Sequence, residues 1–251
     1  MTQNKTVYWS DFHQASSLCD IDRNSTIGFQ IGIDNIKKLQ EALIHDSYPS
    51  LPLIDLLVPS NIDCSLSEAI LRRRSCRKPM ISNSLSLQNF SDILYYGYGK
   101  AANGFRHIPS GGALYPLEIY IYCNDVESID SGLYYYSSQH HGIKNLFVEK
   151  SKKDLESLFV DYNTVKNASA YIFITASFLK TVWKYSERGY RFSLMEAGHL
   201  AQNINLVAAA KSLACLNIGG FFDLKSNQFL ELDGVLDANL YIICLGVAQR
   251  L

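Results

Sequence analysis

A long amphipathic helix is the feature that most restricts how this chain can fold. Between about Phe192 and Leu213, apolar residues recur at helical spacing, so another element must cover one face of the helix. The segment YIFITAS, Tyr171 to Ser177, is apolar on both faces and predicts a strand inside a sheet. The pattern predicts a helix packed on a sheet. The apolar positions of the long helix are Leu194, Ala197, Ala201, Ile204, Ala208 and Leu213.

Other helices and strands alternate irregularly along the chain. Ser65 and Glu68 have the spacing of a capping box and predict a short helix that runs into Arg72. This alternation favours an α+β fold, with a main domain at residues 63–251. Residues 1–62, with a helix expected near Ile33 to Ile44, form an N-terminal extension for dimerisation or partner docking. Further predictions are a helix at Leu87 to Tyr96 and strands at Leu117 to Cys123, Gly132 to Tyr136 and Asn239 to Gly246.

The composition argues against several classes of function. Lys+Arg 23 against Asp+Glu 24 gives a net charge of -1, so no overall field would hold a nucleic acid or an anionic membrane. The six cysteines are scattered and the His140-His141 pair lacks ligands at metal spacing, so no metal site is expected. The N-terminus lacks signal-peptide character and no apolar run reaches about 18 residues, which predicts a cytoplasmic protein with reduced thiols.

A basic run from Arg72 to Arg77, RRRSCR, concentrates guanidinium groups and a hydroxyl at the end of the short helix predicted after Ser65. Such groups can clamp a phosphate through charge-assisted hydrogen bonds. Basic runs are commonly solvated faces, so this run alone does not decide between the two interpretations.

Two diglycine segments could bring backbone close to a flat ligand. PSGGALYP, Pro109 to Pro116, contains Gly111 and Gly112, and NIGGFFD contains Gly219 and Gly220. Glycine leaves the backbone amides unobstructed, although an ordinary tight turn would use the same residues. Neither segment fits the dinucleotide or Walker A pattern.

The segment WKYSERGYRF, Trp183 to Phe192, places Lys184 beside Tyr185 just before the long helix. A cation stabilises a nearby phenolate, so the pair could perform acid-base chemistry. A surface segment that leads into a helix is the alternative interpretation.

Taken in order, four segments resemble the SagB/ThcOx-type dehydrogenases, a branch of the nitroreductase-like flavoproteins. They are RRSCR, PSGGALYPLEIYIY, WKYSERGYRFSLMEAGHLAQN and NIGGFFD, and the second and third are the specific ones. The resemblance covers about residues 65 to 250. It implies a nitroreductase-like FMN-binding fold with a central mixed sheet flanked by helices. It also implies an interlocked homodimer with each flavin at the subunit interface.

The resemblance implies three groups of FMN-binding residues. An arginine-serine group would hold the phosphate and reach the polar edge of the isoalloxazine, and a first glycine loop would lie along the flavin and ribityl chain. A second glycine loop would bring amides near the hydride-accepting N5. The groups are Arg73, Arg74, Ser75 and Arg77; Pro109, Ser110, Gly111 and Gly112; and Gly219 and Gly220, with Arg250 as a further phosphate ligand.

Lys184 and Tyr185 match the Lys-Tyr pair that this branch uses for azoline oxidation. Conversion of a thiazoline or oxazoline to an azole removes a proton and a hydride from adjacent ring carbons, so FMN accepts the hydride and the protein supplies a base. We expect Tyr185 to be the base and Lys184 to stabilise its phenolate, although the roles could be exchanged.

The implied function is oxidation of azoline rings in a ribosomally made precursor peptide, beside a cyclodehydratase. Two alternatives remain open at this point. One is a general FMN-dependent NAD(P)H nitro- or flavin reductase, and the other is a flavin-free assembly subunit that keeps the fold.

Overall fold

The computed structural model describes residues 8–17, 47–77 and 80–248, so the helix expected near Ile33 to Ile44 and the phosphate ligand expected at Arg250 lie outside the described residues. The helices are α1 (Tyr8–Ala15), α2 (Leu66–Arg72), α3 (Leu87–Tyr98), α4 (Lys152–Glu156), α5 (Leu179–Tyr185), α6 (Glu187–Ala210) and α7 (Asp223–Leu230). The strands are β1 (Ile54–Asp55), β2 (Leu117–Cys123), β3 (Gly132–Ser137), β4 (Gly142–Asn145), β5 (Ala170–Ser177), β6 (Leu213–Ile218) and β7 (Asp237–Val247).

One seven-stranded sheet forms the centre of the fold, in the order β1-β4-β3-β2-β5-β7-β6. The α+β prediction is confirmed. The expectation of a mixed sheet is wrong for these strands, because every pairing between them is antiparallel. The connections 124–131 and 138–141 are too short for a crossover, so β2, β3 and β4 can only pair antiparallel.

The long helix α6 covers one face of the sheet together with α3. Leu200, Ile204 and Ala208 of α6 are fully buried in the larger core cluster with Phe90 and Ile93 of α3. This confirms the predicted packing of helix on sheet.

The ends of α6 differ from the prediction. The helix begins at Glu187, before Phe192, and ends at Ala210. Ser212 adopts a φ of 55°, so the chain turns there and Leu213 becomes the first residue of β6. Leu194, expected on the buried stripe, is 41% exposed.

The first turns of α2 and α3 confirm the predicted helix starts. The Ser65 hydroxyl accepts a hydrogen bond of 3.2 Å from the Glu68 amide, and the Ser86 hydroxyl accepts one of 3.3 Å from the Asn89 amide. Each satisfies an amide that the helix itself leaves without a partner.

Helix α1 is attached to the start of α6. Arg188 donates a hydrogen bond of 3.0 Å to the Ser16 carbonyl, and Arg191 donates one of 2.6 Å to the Ser16 hydroxyl. Cations at the C-terminal end of a helix are favourable because the helix dipole is negative there. Two residues of the WKYSERGYRF segment therefore hold α1.

Within the described residues, no helix combines the length and apolar character needed to cross a membrane. The same part of the chain contains no cluster of three or more His, Cys, Asp or Glu side chains that could hold a metal ion.

Candidate active site

Lys184 and Tyr185 lie at the C-terminal end of α5, where the chain changes direction into α6. Ser186 separates the two helices with φ 48° and ψ -142°, outside the helical region. Its amide still donates a 2.7 Å hydrogen bond to the Val182 carbonyl and so closes the last turn of α5. The pair is thus on a fixed helix end and half-buried.

Gly189 allows α5 to pack tightly on the first turn of α6. A Cβ at this position would lie 2.7 Å from the Thr181 carbonyl carbon, closer than packed atoms approach. The Thr181 hydroxyl donates to the Gly189 carbonyl at 3.2 Å across the same contact. This close approach fixes how α5 is oriented on α6, and so where the side chains of Lys184 and Tyr185 lie.

The loop Pro109 to Gly112 meets the Lys-Tyr pair at Gly112. A Cβ at Gly112 would lie 2.6 Å from Tyr185 Oη and 2.7 Å from Lys184 Nζ. The residue also has a φ of 64°, a left-handed conformation that glycine adopts without the strain of a side chain. The first diglycine segment and the Lys-Tyr pair, far apart in sequence, therefore converge on one point.

Phe192 of α6 supports both sides of this contact. Its ring meets the Tyr185 ring edge to face, with centroids 4.9 Å apart and planes at 74°. A Cβ at Gly111 would lie 2.9 Å from Phe192 Cδ2, so the loop backbone rests against the same ring. The ammonium of Lys184 lies 5.2 Å from the Tyr185 ring centroid, near enough for its charge to act on the phenol.

A buried glutamate, Glu196 of α6, lies behind the loop. Its Oε1 accepts hydrogen bonds from the Ser110 hydroxyl at 2.9 Å and from the Gly111 amide at 3.1 Å. Burial raises the pKa of Glu196 to about 7, while these hydrogen bonds and the charge of Arg106 oppose the rise. The residue thus changes protonation near neutral pH.

Glu196 was not among the site residues expected from the sequence, although it lies within the segment WKYSERGYRFSLMEAGHLAQN. The available signal was a carboxylate beside Ala197 and Leu200 on the apolar stripe of α6, where an unpaired charge is costly.

The basic run lies along the outer edge of β6. The Cys76 amide donates a 2.9 Å hydrogen bond to the Cys215 carbonyl, on the side of β6 away from β7. Burial raises the pKa of the Cys215 thiol to about 12, and the nearby charge of Arg73 opposes that rise. Arg73 is half-buried, whereas Arg74, Ser75 and Arg77 are exposed.

The second diglycine segment, Gly219 and Gly220, follows the last residue of β6 and is exposed. A Cβ at Gly219 would lie 3.6 Å from the Tyr241 ring, and one at Gly220 would meet nothing within 4 Å. A cavity of about 270 Å³ borders both glycines, with Phe159, Val160, Asp161, Thr164, Asn217 and Ile218 as its other lining residues.

Strand register places both diglycine segments at the same end of the sheet. Ile218 of β6 pairs with Ile242, Ile242 with Phe173, and Phe173 with Tyr120 of β2. Since β2 begins at Leu117, its first residues and the chain after Ile218 lie at one end. Neighbouring strands are about 4.8 Å apart, so the three spacings from β2 to β6 place these two strands about 14 Å apart.

The sequence-predicted residues therefore form two groups. Lys184 and Tyr185 contact Gly112, and Ser110 and Gly111 contact Glu196 behind them. The second group, on β6, consists of Arg73, Arg74, Ser75 and Arg77 with Gly219 and Gly220.

Sequence comparison assigns the chain to a family. The profile of the nitroreductase family matches residues 70–247, and the chain belongs to that family. Members of this family typically bind a flavin and act as oxidoreductases. A protein of Methanocaldococcus jannaschii named as a nitroreductase is 32% identical over 180 residues, which cover 71% of this chain and 90% of the relative.

Two further relatives are named as processing proteins. The trifolitoxin-processing protein of Rhizobium leguminosarum bv. trifolii is 26% identical over 231 residues, 81% of this chain and 60% of its own length. The microcin B17-processing protein of Escherichia coli is 28% identical over 172 residues, 65% of this chain and 63% of its own length. The chain thus matches less than two thirds of either processing protein.

A solved structure confirms the fold. A chain of the E. coli microcin synthetase McbBCD complex, with truncated pro-MccB17 bound, superposes with a TM-score of 0.62 at 23% identity. The superposition covers 96% of this chain and 92% of the other. The nitroreductase-like fold implied by the sequence motifs is therefore confirmed.

Proposed function

We propose that this protein is an FMN-dependent dehydrogenase that oxidises thiazoline or oxazoline rings to azoles in a ribosomally made peptide. The observation that carries the proposal is the convergence of Lys184 Nζ and Tyr185 Oη on Gly112. Nitro reduction consumes protons, whereas azoline oxidation must remove one from carbon, so a general base beside the flavin favours azoline oxidation. The two relatives that process trifolitoxin and microcin B17 support a peptide substrate.

The described residues fit a flat cofactor with a phosphate tail. At Gly112 the absence of a side chain lets Tyr185 Oη and Lys184 Nζ lie against the backbone, and Gly220 has open space in front of it. The exposed guanidinium groups beside β6 can hold a phosphate dianion. In this proposal Arg73 and Ser75 would bind the FMN phosphate with Arg74 close by, and Arg77 would reach the isoalloxazine. The flavin would lie along Pro109, Ser110, Gly111 and Gly112, with N5 near Gly219 and Gly220, and Arg250 would be a further phosphate ligand.

The Lys-Tyr pair supplies the base. Tyr185 Oη takes the proton from one ring carbon, and the Lys184 ammonium stabilises the phenolate that begins the step. Bound FMN supplies the acceptor for the hydride that leaves the adjacent carbon. Loss of one proton and one hydride converts the azoline to the azole. The exchanged assignment, with neutral Lys184 as the base and Tyr185 as its partner, uses the same atoms.

Tyr185→Phe and Lys184→Ala test this proposal. Removal of the hydroxyl or the amine should lower the rate of azoline oxidation by about 100-fold or more while flavin absorbance is retained, because general base catalysis contributes that much. The Phe side chain keeps the ring contact with Phe192. Variants that bind FMN and oxidise a synthetic azoline peptide as fast as the parent would overturn the proposal.

Tyr190→Phe is the matched control. Tyr190 belongs to the same segment, and its ring packs on Phe12 and Phe178. Loss of its hydroxyl should leave azoline oxidation unchanged. A similar loss in this variant would mean that the segment tolerates no change, and the effect at Tyr185 would lose its meaning.

A general NAD(P)H-dependent nitro- or flavin reductase is the second candidate. The family and the M. jannaschii relative named as a nitroreductase favour it. Rapid bleaching of the bound flavin by NAD(P)H, without oxidation of an azoline peptide, would select this candidate in an anaerobic stopped-flow experiment.

The partners belong to the same proposal. We infer a homodimer that shares the flavin sites and a cyclodehydratase that delivers the azoline-containing precursor, with residues 1–62 in dimerisation or partner docking. The McbBCD complex provides an example of a relative that assembles with other subunits and a peptide. Flavin binding that weakens when the dimer is diluted to monomers would support shared sites.

A further inference from the structure

In the described part of the chain, only one of the two carboxyl oxygens of Glu196 makes hydrogen bonds. Oε1 accepts both hydrogen bonds from the loop, whereas Oε2 is buried without a partner among the described residues. An ionised carboxylate spreads its charge over both oxygens and has about four acceptor sites. A buried Oε2 without a donor therefore disfavours the ionised form more strongly than the neutral one.

The charges around Glu196 do not compensate for this burial. The groups that face it from other elements are Arg106, which precedes the loop, and Tyr98 of α3. The Arg106 guanidinium lies 4.2 Å from the centre of the Tyr98 ring and 5.1 Å from that of Tyr115. Within the described residues no ion pair reaches Glu196, so a neutral carboxyl suits the site better.

The two groups that Glu196 holds are the ones that shape the loop. The Ser110 hydroxyl donates to Glu196 and accepts a 2.9 Å hydrogen bond from the Tyr115 amide, so it links the start of the loop to its end. Gly111 is bonded through its amide, and the next residue, Gly112, contacts Lys184 and Tyr185.

We propose that Glu196 is a positioning residue of the diglycine loop, and that its protonated form holds Ser110 and Gly111 against α6 while its ionised form favours release of the loop. This inference rests on the proposed function only for the role of the loop, which is to lie along the flavin. Release exposes the carboxylate to water, which solvates Oε2 as the protein does not. The loop surface opposite Lys184 and Tyr185 is then less ordered above neutral pH.

The size of the effect follows from linkage. The pKa of Glu196 would fall from about 7 in the closed loop to its ordinary 4.5 in water, which makes opening about tenfold easier at pH 8 than at pH 6. A glutamine cannot ionise, yet its amide oxygen can accept the same two hydrogen bonds. Glu196→Gln should therefore keep the loop closed at both pH values.

Amide hydrogen exchange at Gly111, measured on the full chain without substrate and corrected for the intrinsic base-catalysed rate, tests the proposal. We expect the corrected opening constant of the parent protein to rise about tenfold from pH 6 to pH 8, and that of Glu196→Gln to stay constant. Equal pH dependence in the two proteins, or protection that increases with pH only in the parent, would overturn it.

Infrared difference spectroscopy of the carboxylic C=O band gives a second readout that does not depend on activity. The band lost in Glu196→Gln should titrate near neutral pH in the parent. Ser110→Ala removes a donor that favours ionisation, so the same band should titrate at higher pH there. A band that titrates near 4.5, or that Ser110→Ala leaves in place, would refute the role of Glu196.

FMN binding separates this inference from the proposed function. The dissociation constant of FMN, measured by fluorescence quenching at pH 6 and pH 8, should depend on pH less in Glu196→Gln than in the parent. If these results hold and no azoline is oxidised, the positioning role stands and the proposed function fails. If azolines are oxidised but the exchange and infrared results show a carboxyl that titrates near its ordinary pKa, the proposed function stands and the positioning role fails.

Discussion

The two groups of candidate site residues differ in how completely one chain assembles them. Around Gly112, atoms from the loop, α5 and α6 already lie in contact, with a buried glutamate behind them. Along β6, the basic side chains and the second diglycine segment are largely exposed, and a Cβ at Gly220 would meet nothing within 4 Å.

This difference indicates which part of the site is preorganised. Groups held within tight limits are suited to chemistry, since a misplacement of about 1 Å can cost a hundredfold in rate. Exposed guanidinium groups are suited to binding a charged ligand or a partner. We therefore expect substitutions around Gly112 to change catalysis and substitutions along β6 to change affinity.

Gly112→Ala should have the largest effect. The new Cβ would lie 2.6 Å from Tyr185 Oη and 2.7 Å from Lys184 Nζ, at a φ of 64° that alanine adopts only with strain. Both functional groups must move, so azoline oxidation should fall about 100-fold or more at saturating FMN and substrate.

Two other glycines sharpen this comparison. Gly104 has a φ of 88° with nothing within 4 Å, so Gly104→Ala carries the backbone strain, about 1 kcal/mol, without the contact and should retain full activity. Gly220→Ala in the β6 group should lower the rate by less than about tenfold, because its Cβ would enter open space. If all three substitutions reduced the rate equally, the distinction between the two groups would be lost.

Glu196→Gln should stabilise the protein, and only at higher pH. The folded-state pKa of Glu196 is raised, so its contribution to stability is fully present below the ordinary pKa of 4.5 and is lost as pH rises toward about 7. The free energy of unfolding of the variant, relative to the parent, should therefore increase by about 2 kcal/mol between pH 5 and pH 8.

Chemical denaturation at both pH values measures this difference. Glu187→Gln is the control, because it removes an exposed carboxylate from the first turn of the same helix and should change stability by less than about 0.5 kcal/mol. A variant at position 196 that gains no stability relative to the parent between pH 5 and pH 8 would contradict the raised pKa of Glu196.

Most helices and strands of the fold could be predicted from local sequence patterns. Continuous apolar runs predicted β2, β5 and β7, and helical spacing of apolar residues predicted α3 and α6. Each of these patterns reflects the burial of a single element. The pairing of strands is a non-local property, so the sequence did not show that the whole sheet is antiparallel.

The sequence predicted candidate site residues only where a residue type or a pair of residues is itself conspicuous. Paired glycines and a Lys-Tyr dipeptide stand out in a sequence, but the family resemblance was needed to assign Gly112, Lys184 and Tyr185 to one site. Glu196 was missed because its role depends on the Ser110 hydroxyl and the Gly111 amide above it, and helical spacing does not report what covers a residue. The position of the two diglycine segments at the same end of the sheet likewise needed the strand register.

Arg73→Ala should have the smallest of these effects, on affinity alone. Loss of one charge-assisted pair with a phosphate should weaken FMN binding about tenfold, or about 1.4 kcal/mol, as measured by fluorescence quenching. Arg72→Ala is the matched control, since Arg72 is exposed and pairs with Glu68 on the surface of α2, where such pairs contribute little. Azoline oxidation by the flavin-saturated Arg73 variant should match the parent. A loss of rate that excess FMN did not restore would place Arg73 in the chemistry and weaken the contrast with Gly112.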